Sequence, residues 1–239
     1  MSEGIRINKY LAECGLCSRR EADRLIAEGR ICINNNTAQP GDWVMPGDVV
    51  TCDGAECRRT EKKVVLAYYK PVGVTVTAAD DHAEATVLDD IDYPIRVTYA
   101  GRLDKDSEGL LLLTNDGELI NAMMRGKSGH EKEYIVKLNK EPQPDDIARL
   151  SKGVWIEDLK KKTRPCRIEK ISARTVRMVI TEGLNRQIRR MWRLAGYHVN
   201  ALKRIRVVTV SLGDLKSGEY TELTDTQLNE LYKAVGLKR

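Results

Sequence analysis

Apolar positions at Ile7, Tyr10 and Leu11 stand at the i, i+3, i+4 spacing of one helix face, so Ile5 to Cys14 is expected to be a short helix. A second helix is predicted from Ser18. Ser18-Arg19-Arg20-Glu21 reads as a capping box, Ala22, Leu25 and Ile26 form the apolar stripe, and Gly29 sits where a helix ends. Ile31 to Asn34 and Val49 to Cys52 read as strands, separated by turns at Asn34-Asn35-Asn36 and Pro46-Gly47-Asp48. The pattern describes a small unit of two helices and a few strands over residues 1–57, followed by a polar linker at 58–63.

Residues 64–239 carry a different rhythm. Val64 to Tyr69 and the apolar run Leu110 to Thr114 are expected strands, the latter ending in the turn signal Asn115-Asp116-Gly117, with a helix from Glu118 to Met124. Glu133 to Leu138, Arg167 to Ile171 and Thr175 to Ile180 alternate as strands do. Asn185 to Leu194 has helical spacing through Ile188, Met191 and Trp192, and Thr224-Asp225-Thr226-Gln227 opens a last helix as a capping box. Many strands with few helices predict an α+β domain built on a mostly antiparallel sheet with flanking helices.

Composition adds limits. With 239 residues, 41% of them hydrophobic, the chain can bury a core, and no apolar run approaches the length needed to span a bilayer. The N-terminus lacks the charged and apolar regions of a signal peptide, so a cytoplasmic protein with reduced cysteines is expected. Cys14-Gly15-Leu16-Cys17 has C-x-x-C spacing, but Cys52 and Cys57 do not supply the matching pair of a zinc ribbon, which favours structural thiols. The chain contains no Phe, for which the sequence offers no physical reason.

Charge is more informative in its distribution than in its total of +5. Residues 160–206 hold fifteen Lys or Arg and only two acids, Glu169 and Glu182, a local net of +13 that leaves −8 for the rest. Such a stretch inside a folded domain predicts an anionic partner, gripped through attraction that weakens with salt.

The first unit, through Arg6-Ile7-Asn8-Lys9-Tyr10-Leu11, Ser18-Arg19-Arg20-Glu21-Ala22 and the Pro-Gly-Asp turn, resembles the S4 RNA-binding module. That resemblance implies phosphate contacts for Lys9, Arg19, Arg20 and Arg24. Residues 1–60 carry eight basic and nine acidic groups, so any grip there depends on local arrangement.

Three further segments carry chemistry. Gly101-Arg102-Leu103-Asp104-Lys105-Asp106-Ser107-Glu108-Gly109 is a glycine-framed loop with a carboxylate among basic residues. Lys132-Glu133-Tyr134 starts a strand, and Glu182-Gly183-Leu184-Asn185-Arg186-Gln187-Ile188-Arg189-Arg190-Met191 brings arginines to a helix N-terminus. With Tyr69-Lys70-Pro71-Val72-Gly73, and in this order, they resemble the pseudouridine synthases of the RsuA and RluB/RluE/RluF type. His130-Glu131-Lys132-Glu133-Tyr134 looks most like the RluF branch.

The resemblance implies an isomerase that breaks the bond between ribose C1′ and uracil N1, turns the base and joins C1′ to C5. It casts Asp104 as the essential carboxylate, Tyr134 as the ring against the target uracil, and Arg189 as the arginine that keeps a buried Asp104 charged. Arg102 would fill the stack vacated by the flipped nucleotide. Lys70, Lys105, Arg186 and Arg190 would join it as RNA contacts. Such a reaction needs no metal, nucleotide or redox cofactor, and the sequence has no P-loop, G-x-G-x-x-G or zinc-deaminase signature. The partner expected is structured ribosomal RNA of the large subunit (23S), with small-subunit (16S) RNA, tRNA or a non-catalytic RNA-binding role as alternatives, and the chain is expected to act as a monomer without a membrane.

Overall fold

Helix and strand placement follows the apolar spacing closely in a computed structural model, which describes residues 4–59, 62–77, 86–88, 91–124 and 129–238. The chain divides into two compact units. One runs up to Val64 and includes Asp92–Thr98; the other takes Val65–Ile91 and the chain from Tyr99 onward. Part of the 58–63 segment expected as a linker lies outside the described residues.

In the first unit, helices Ile7–Glu13 and Arg19–Ala27 cover a four-stranded antiparallel sheet. Ile7, Leu11, Ala22, Leu25, Ile26 and Ile31 form its core. The opening differs from the expected helix: Ile5–Arg6 is extended and pairs with Trp43–Val44, so the helix begins at Ile7. Ser18 accepts from the Glu21 N–H as expected, but the Glu21 carboxylate turns to Arg24, 2.5 Å away, and only half of the box forms. Asn34 and Asn35, both with positive φ, make the two-residue hairpin from Ile33 to Asn36. Asp53-Gly54 does the same between Cys52 and Ala55, again with both residues at positive φ.

The second unit is built on a sheet whose main path runs, in spatial order, through Arg167–Ser172, Thr175–Ile180, Lys132–Leu138, Val199–Val207, Glu108–Thr114, Val65–Lys70 and Tyr220–Glu222. Neighbours are antiparallel except where Lys203-Arg204 runs parallel to Glu108-Gly109. The α+β reading therefore holds.

Both faces of the central strands are covered. Val65, Ala67, Tyr69, Leu110 and Leu112 alternate onto one face, against Leu228, Leu231 and Tyr232 of the last helix, Asp225–Ala234. That helix has the complete capping box expected, with Thr224 and Gln227 each satisfying the other's backbone N–H. The Asn-Asp-Gly signal proves to be a helix start: Asp116 Oδ1 accepts from the N–H groups of Glu118 and Leu119. No helix among the described residues is long and apolar enough to cross a membrane.

Candidate active site

A tight turn shapes the glycine-framed loop. The Ser107 N–H donates to the Asp104 carbonyl at 3.0 Å, which presents Asp104 and Asp106 as separate carboxylates on one short arc. The loop leads directly into the Glu108–Thr114 strand, and the parallel pairing there brings two backbones together at Gly109. Gly109 has φ +104, and a Cβ would lie 2.2 Å from the Arg204 carbonyl oxygen, so only glycine allows this register. Arg204 is itself buried. Its Nε donates to the Leu110 carbonyl at 2.7 Å and its Nη1 to the Arg102 carbonyl at 3.3 Å, which ties the loop to the central sheet.

A second support comes from the Lys70-Pro71-Val72-Gly73 segment. The Gly73 N–H donates to the Lys105 carbonyl at 2.8 Å. Lys70 was expected on RNA phosphates, but the structure corrects this: its side chain is wholly buried at the end of an all-buried strand, and Nζ donates to the carbonyls of Pro71 and Val74 at 2.7 and 2.8 Å. Burial pulls its pKa down to about 8, against the opposing pull of the Asp104, Asp106 and Glu108 charges.

The arginines enter from the helix Gln187–Leu194, whose N-cap, Arg186, holds a left-handed φ of +50. Gln187 is buried and orders the approach: Oε1 accepts from the Leu184 N–H, and Nε2 donates to Glu182, which also accepts from the Arg164 N–H. Arg186 lies within ion-pair distance of Asp104, at 4.0 Å, while its fork grips both oxygens of Asp106 at 3.0 and 2.6 Å. Burial raises the Asp106 pKa, but the Arg186 hydrogen bond and the charges of Arg189 and Arg186 outweigh it and hold that carboxyl below its usual range.

Arg189, expected as the partner of Asp104, feels the Asp104 charge but makes its close contacts elsewhere. Its Nη1 donates to the Val199 carbonyl at 2.9 Å and its Nη2 to the Asp106 carbonyl at 2.8 Å, with Nε 3.3 Å from the Asp106 carboxylate. The Asp104 side chain is 32% exposed, so the acid is half-buried and part of its charge is met by solvent. Arg190 is likewise engaged, ion-paired to Asp158 and donating to the Asn185 carbonyl.

Asp104, Arg102, Lys105, Tyr134 and Arg186 line one cavity of about 900 Å³, together with Lys132, Lys161, Lys162, Arg164 and Arg204. Tyr134 is buried in the wall on the Lys132–Leu138 strand. Arg102 and Lys105 are exposed, and neither side chain has a hydrogen-bond or ion-pair partner among the described residues. Arg189 and Arg190 border a separate hollow of about 510 Å³ beside it. A half-buried carboxylate facing a roomy, cation-lined cavity with one aromatic wall can receive a polyanion carrying a flat base.

A family model described as RNA pseudouridylate synthase matches residues 64–193, and one described as S4 domain matches residues 5–50. The chain belongs to the RNA pseudouridylate synthase family. It is 43% identical over 233 residues to the dual-specificity RNA pseudouridine synthase RluF of Escherichia coli K12, covering 97% of this chain and 79% of the relative. It is 35% identical to the ribosomal large subunit pseudouridine synthase B of Bacillus subtilis, with 95% of each chain covered. A crystal structure of a pseudouridylate synthase superposes with a TM-score of 0.70 at 28% identity, covering 95% of this chain and 99% of that one. The protein is thus an RNA pseudouridine synthase, an isomerase, with an S4 domain at its N-terminal end.

Within this synthase, the S4 helices carry the four expected cations. Arg19 and Arg20 are exposed and Lys9 half-buried; Lys9 lies 3.6 Å from Glu13, Arg19 donates to Asn8, and Arg24 is shared between Glu21 and Glu28. The cysteines are all free thiols, and burial pushes Cys14 up to about 12. The residues that sequence reasoning missed are supports: Arg204, Gln187 and Asp106. For Arg204 the signal was a charged side chain inside a strand's otherwise apolar alternation, which its burial explains; Asp106 and Gln187 carry no such signal.

Proposed function

We propose that this synthase isomerises a uridine of large-subunit ribosomal RNA, with Asp104 as its catalytic carboxylate. The observation that carries the reading is the sharing of one cation-lined cavity by Asp104 and Tyr134. In this reading the target nucleotide leaves its stack, the uracil lies against the Tyr134 ring, and C1′ comes up to the Asp104 carboxylate. Arg102, exposed and unengaged beside the cavity, takes the space left in the RNA. The N1–C1′ bond breaks, the base turns while the walls retain it, and C1′ joins C5 as the C5 proton leaves and N1 gains one. Reactant and product are isomers. Asp104 can act by attack at C1′, by addition at uracil C6, or by removing the 2′ proton.

The large-subunit choice follows the name of the Bacillus relative and the resemblance to the RluF branch at residues 130–134. The "dual-specificity" in the name of the Escherichia relative favours a second RNA substrate as well. The test is release of tritium from ribosomal RNA labelled at uracil C5. Wild type should release it, and Asp104→Asn should release none while still retaining RNA on a filter; full release by the variant refutes the assignment.

A further inference from the structure

The basic stretch 160–206 loses most of its free charge inside the fold. Arg167 and Arg206 pair with Glu131, Arg177 with Glu133, Lys170 with Glu141, and Arg190 and Arg193 with Asp158. A guanidinium already matched to a carboxylate has few counterions to release on meeting RNA, and taking it away would strand the acid. Four exposed cations of the stretch escape this, Arg174 on the turn after Arg167–Ser172 and three consecutive lysines that reach the cavity's side of the fold. Lys160, Lys161 and Lys162 are exposed and have no side-chain hydrogen bond or ion pair among the described residues.

Those lysines are not on a loose loop. Trp155–Ile156 pairs with Lys161–Lys162 as a short hairpin, closed by a turn of 3-10 helix in which Lys160 adopts φ +47. Asp158 at that turn bolts the hairpin to Arg190 and Arg193 on the Gln187–Leu194 helix. At the base, Val154 and Thr163 exchange hydrogen bonds at 2.9 Å, and Gly153 comes so close that a Cβ would lie 2.3 Å from the Thr163 carbonyl oxygen. The Arg164 N–H then donates to Glu182 at 2.8 Å, on the segment that also positions Arg186. Lys161 and Lys162 line the same cavity as Asp104 and Tyr134.

We propose that the Trp155–Lys162 hairpin is a phosphate clamp, in which Lys161 and Lys162 hold backbone phosphates of the RNA strand carrying the target uridine. This rests on the reading of the Asp104 cavity as the site of isomerisation. Because the hairpin is fixed before RNA arrives, the lysines lose little further freedom of the backbone that bears them, and they favour one position of the strand over the cavity. The clamp carries no base specificity. It sets affinity and register.

The test uses the full chain and ribosomal RNA transcribed with 5-tritiated uridine. Filter binding is measured across a salt series in an Asp104→Asn background, with and without Lys161→Ala and Lys162→Ala together. The steepness of the fall of log affinity with log salt should drop by about 1.4 to 1.8, the value for two lost phosphate contacts. Replacing both lysines by Arg should restore it, while Lys233→Ala on the last helix should leave it unchanged. An unchanged slope in the double alanine variant overturns the clamp. Tritium release by the wild-type chain is scored separately: its absence would remove the catalytic reading, and the salt slope would still decide whether the hairpin grips RNA.

Discussion

Replacing Gly109 by Ala tests whether the catalytic loop depends on a backbone contact that no side chain can occupy. Two costs add. A non-glycine residue at φ +104 stores about 1 to 3 kcal/mol of strain. The new Cβ would also sit 2.2 Å from the Arg204 carbonyl oxygen and 2.8 Å from its nitrogen. Those atoms belong to a paired strand and cannot swing aside as a rotamer does, so overpacking adds about 1 to 3 kcal/mol. The sum, roughly 2 to 6 kcal/mol, is a large share of the ~5 to 15 kcal/mol that holds a domain folded. At about 2 to 4 °C per kcal/mol, the melting temperature should fall by roughly 5 to 20 °C. Gly218→Ala is the control, since its φ of +87 carries the strain but nothing lies within 4 Å of its Cβ. Thermal unfolding of both variants by circular dichroism separates the two costs, and tritium release below the melting point reports whether the Arg102 carbonyl has lost its Arg204 donor. If Gly109→Ala melts within about 2 °C of Gly218→Ala, the close approach of the strands contributes nothing and the argument fails.

Arg186 and Arg189 should separate by phenotype. Arg186→Ala removes the guanidinium beside Asp104 from a 42% exposed position, so melting should shift by no more than about 1 kcal/mol equivalent while kcat falls roughly tenfold or more. Arg189→Ala breaks bonds to the Val199 and Asp106 carbonyls and should cost about 2 to 4 kcal/mol in urea unfolding; the reverse pattern would restore Arg189 as the catalytic arginine. Lys70 gives a pH signature. Its ammonium is buried in the folded chain with a pKa near 8 against 10.5 when free, so below pH 8 both states are protonated and the folded state bears the full cost, roughly 3 kcal/mol. Between pH 8 and 10.5 the folded state sheds its proton first and stability rises. Urea midpoints of wild type should therefore gain on Lys70→Met over that range, and parallel curves would refute a buried, protonated Lys70.

Elements with strong apolar spacing were legible, among them both S4 helices, the Leu110–Thr114 strand and the capped last helix. Val199–Val207 was not, although it pairs with both halves of the sheet. Lys203, Arg204 and Arg206 break its alternation, and their heads are satisfied by an aromatic ring, by backbone carbonyls and by Glu131 with Glu133. The Trp155–Lys162 hairpin and the helix Pro144–Ser151 were too short or too polar to register. At the site, the motif order located Asp104, Tyr134 and Arg186 in one cavity, but the choice of partner for each arginine depends on the turn from Asp104 to Ser107. Two carboxylates two residues apart are equivalent to a sequence reader. The turn makes them different, giving Asp106 the guanidinium forks and leaving Asp104 turned to the cavity.

The same reasoning governs the charge count. Fifteen cations against two acids over 47 residues looks like a broad RNA-binding face only if charge is paired along the chain. In the fold the acids come from elsewhere: Asp106, Glu131, Glu133, Glu141 and Asp158 all lie outside the window and each meets a cation inside it. Antiparallel neighbours supply part of this, because strand Lys132–Leu138 sits between Thr175–Ile180 and Val199–Val207, and its Glu133 pairs with Arg177 on one and Arg206 on the other. Attraction for a polyanion therefore belongs to cations that no strand neighbour has claimed. Around Asp104 these are Arg102, Lys105, Lys161 and Lys162, and they line the cavity that holds the carboxylate. A site that must bring a negative backbone to a negative side chain needs such unclaimed cations beside it, since pairing them internally would leave Asp104 to repel the RNA it acts on.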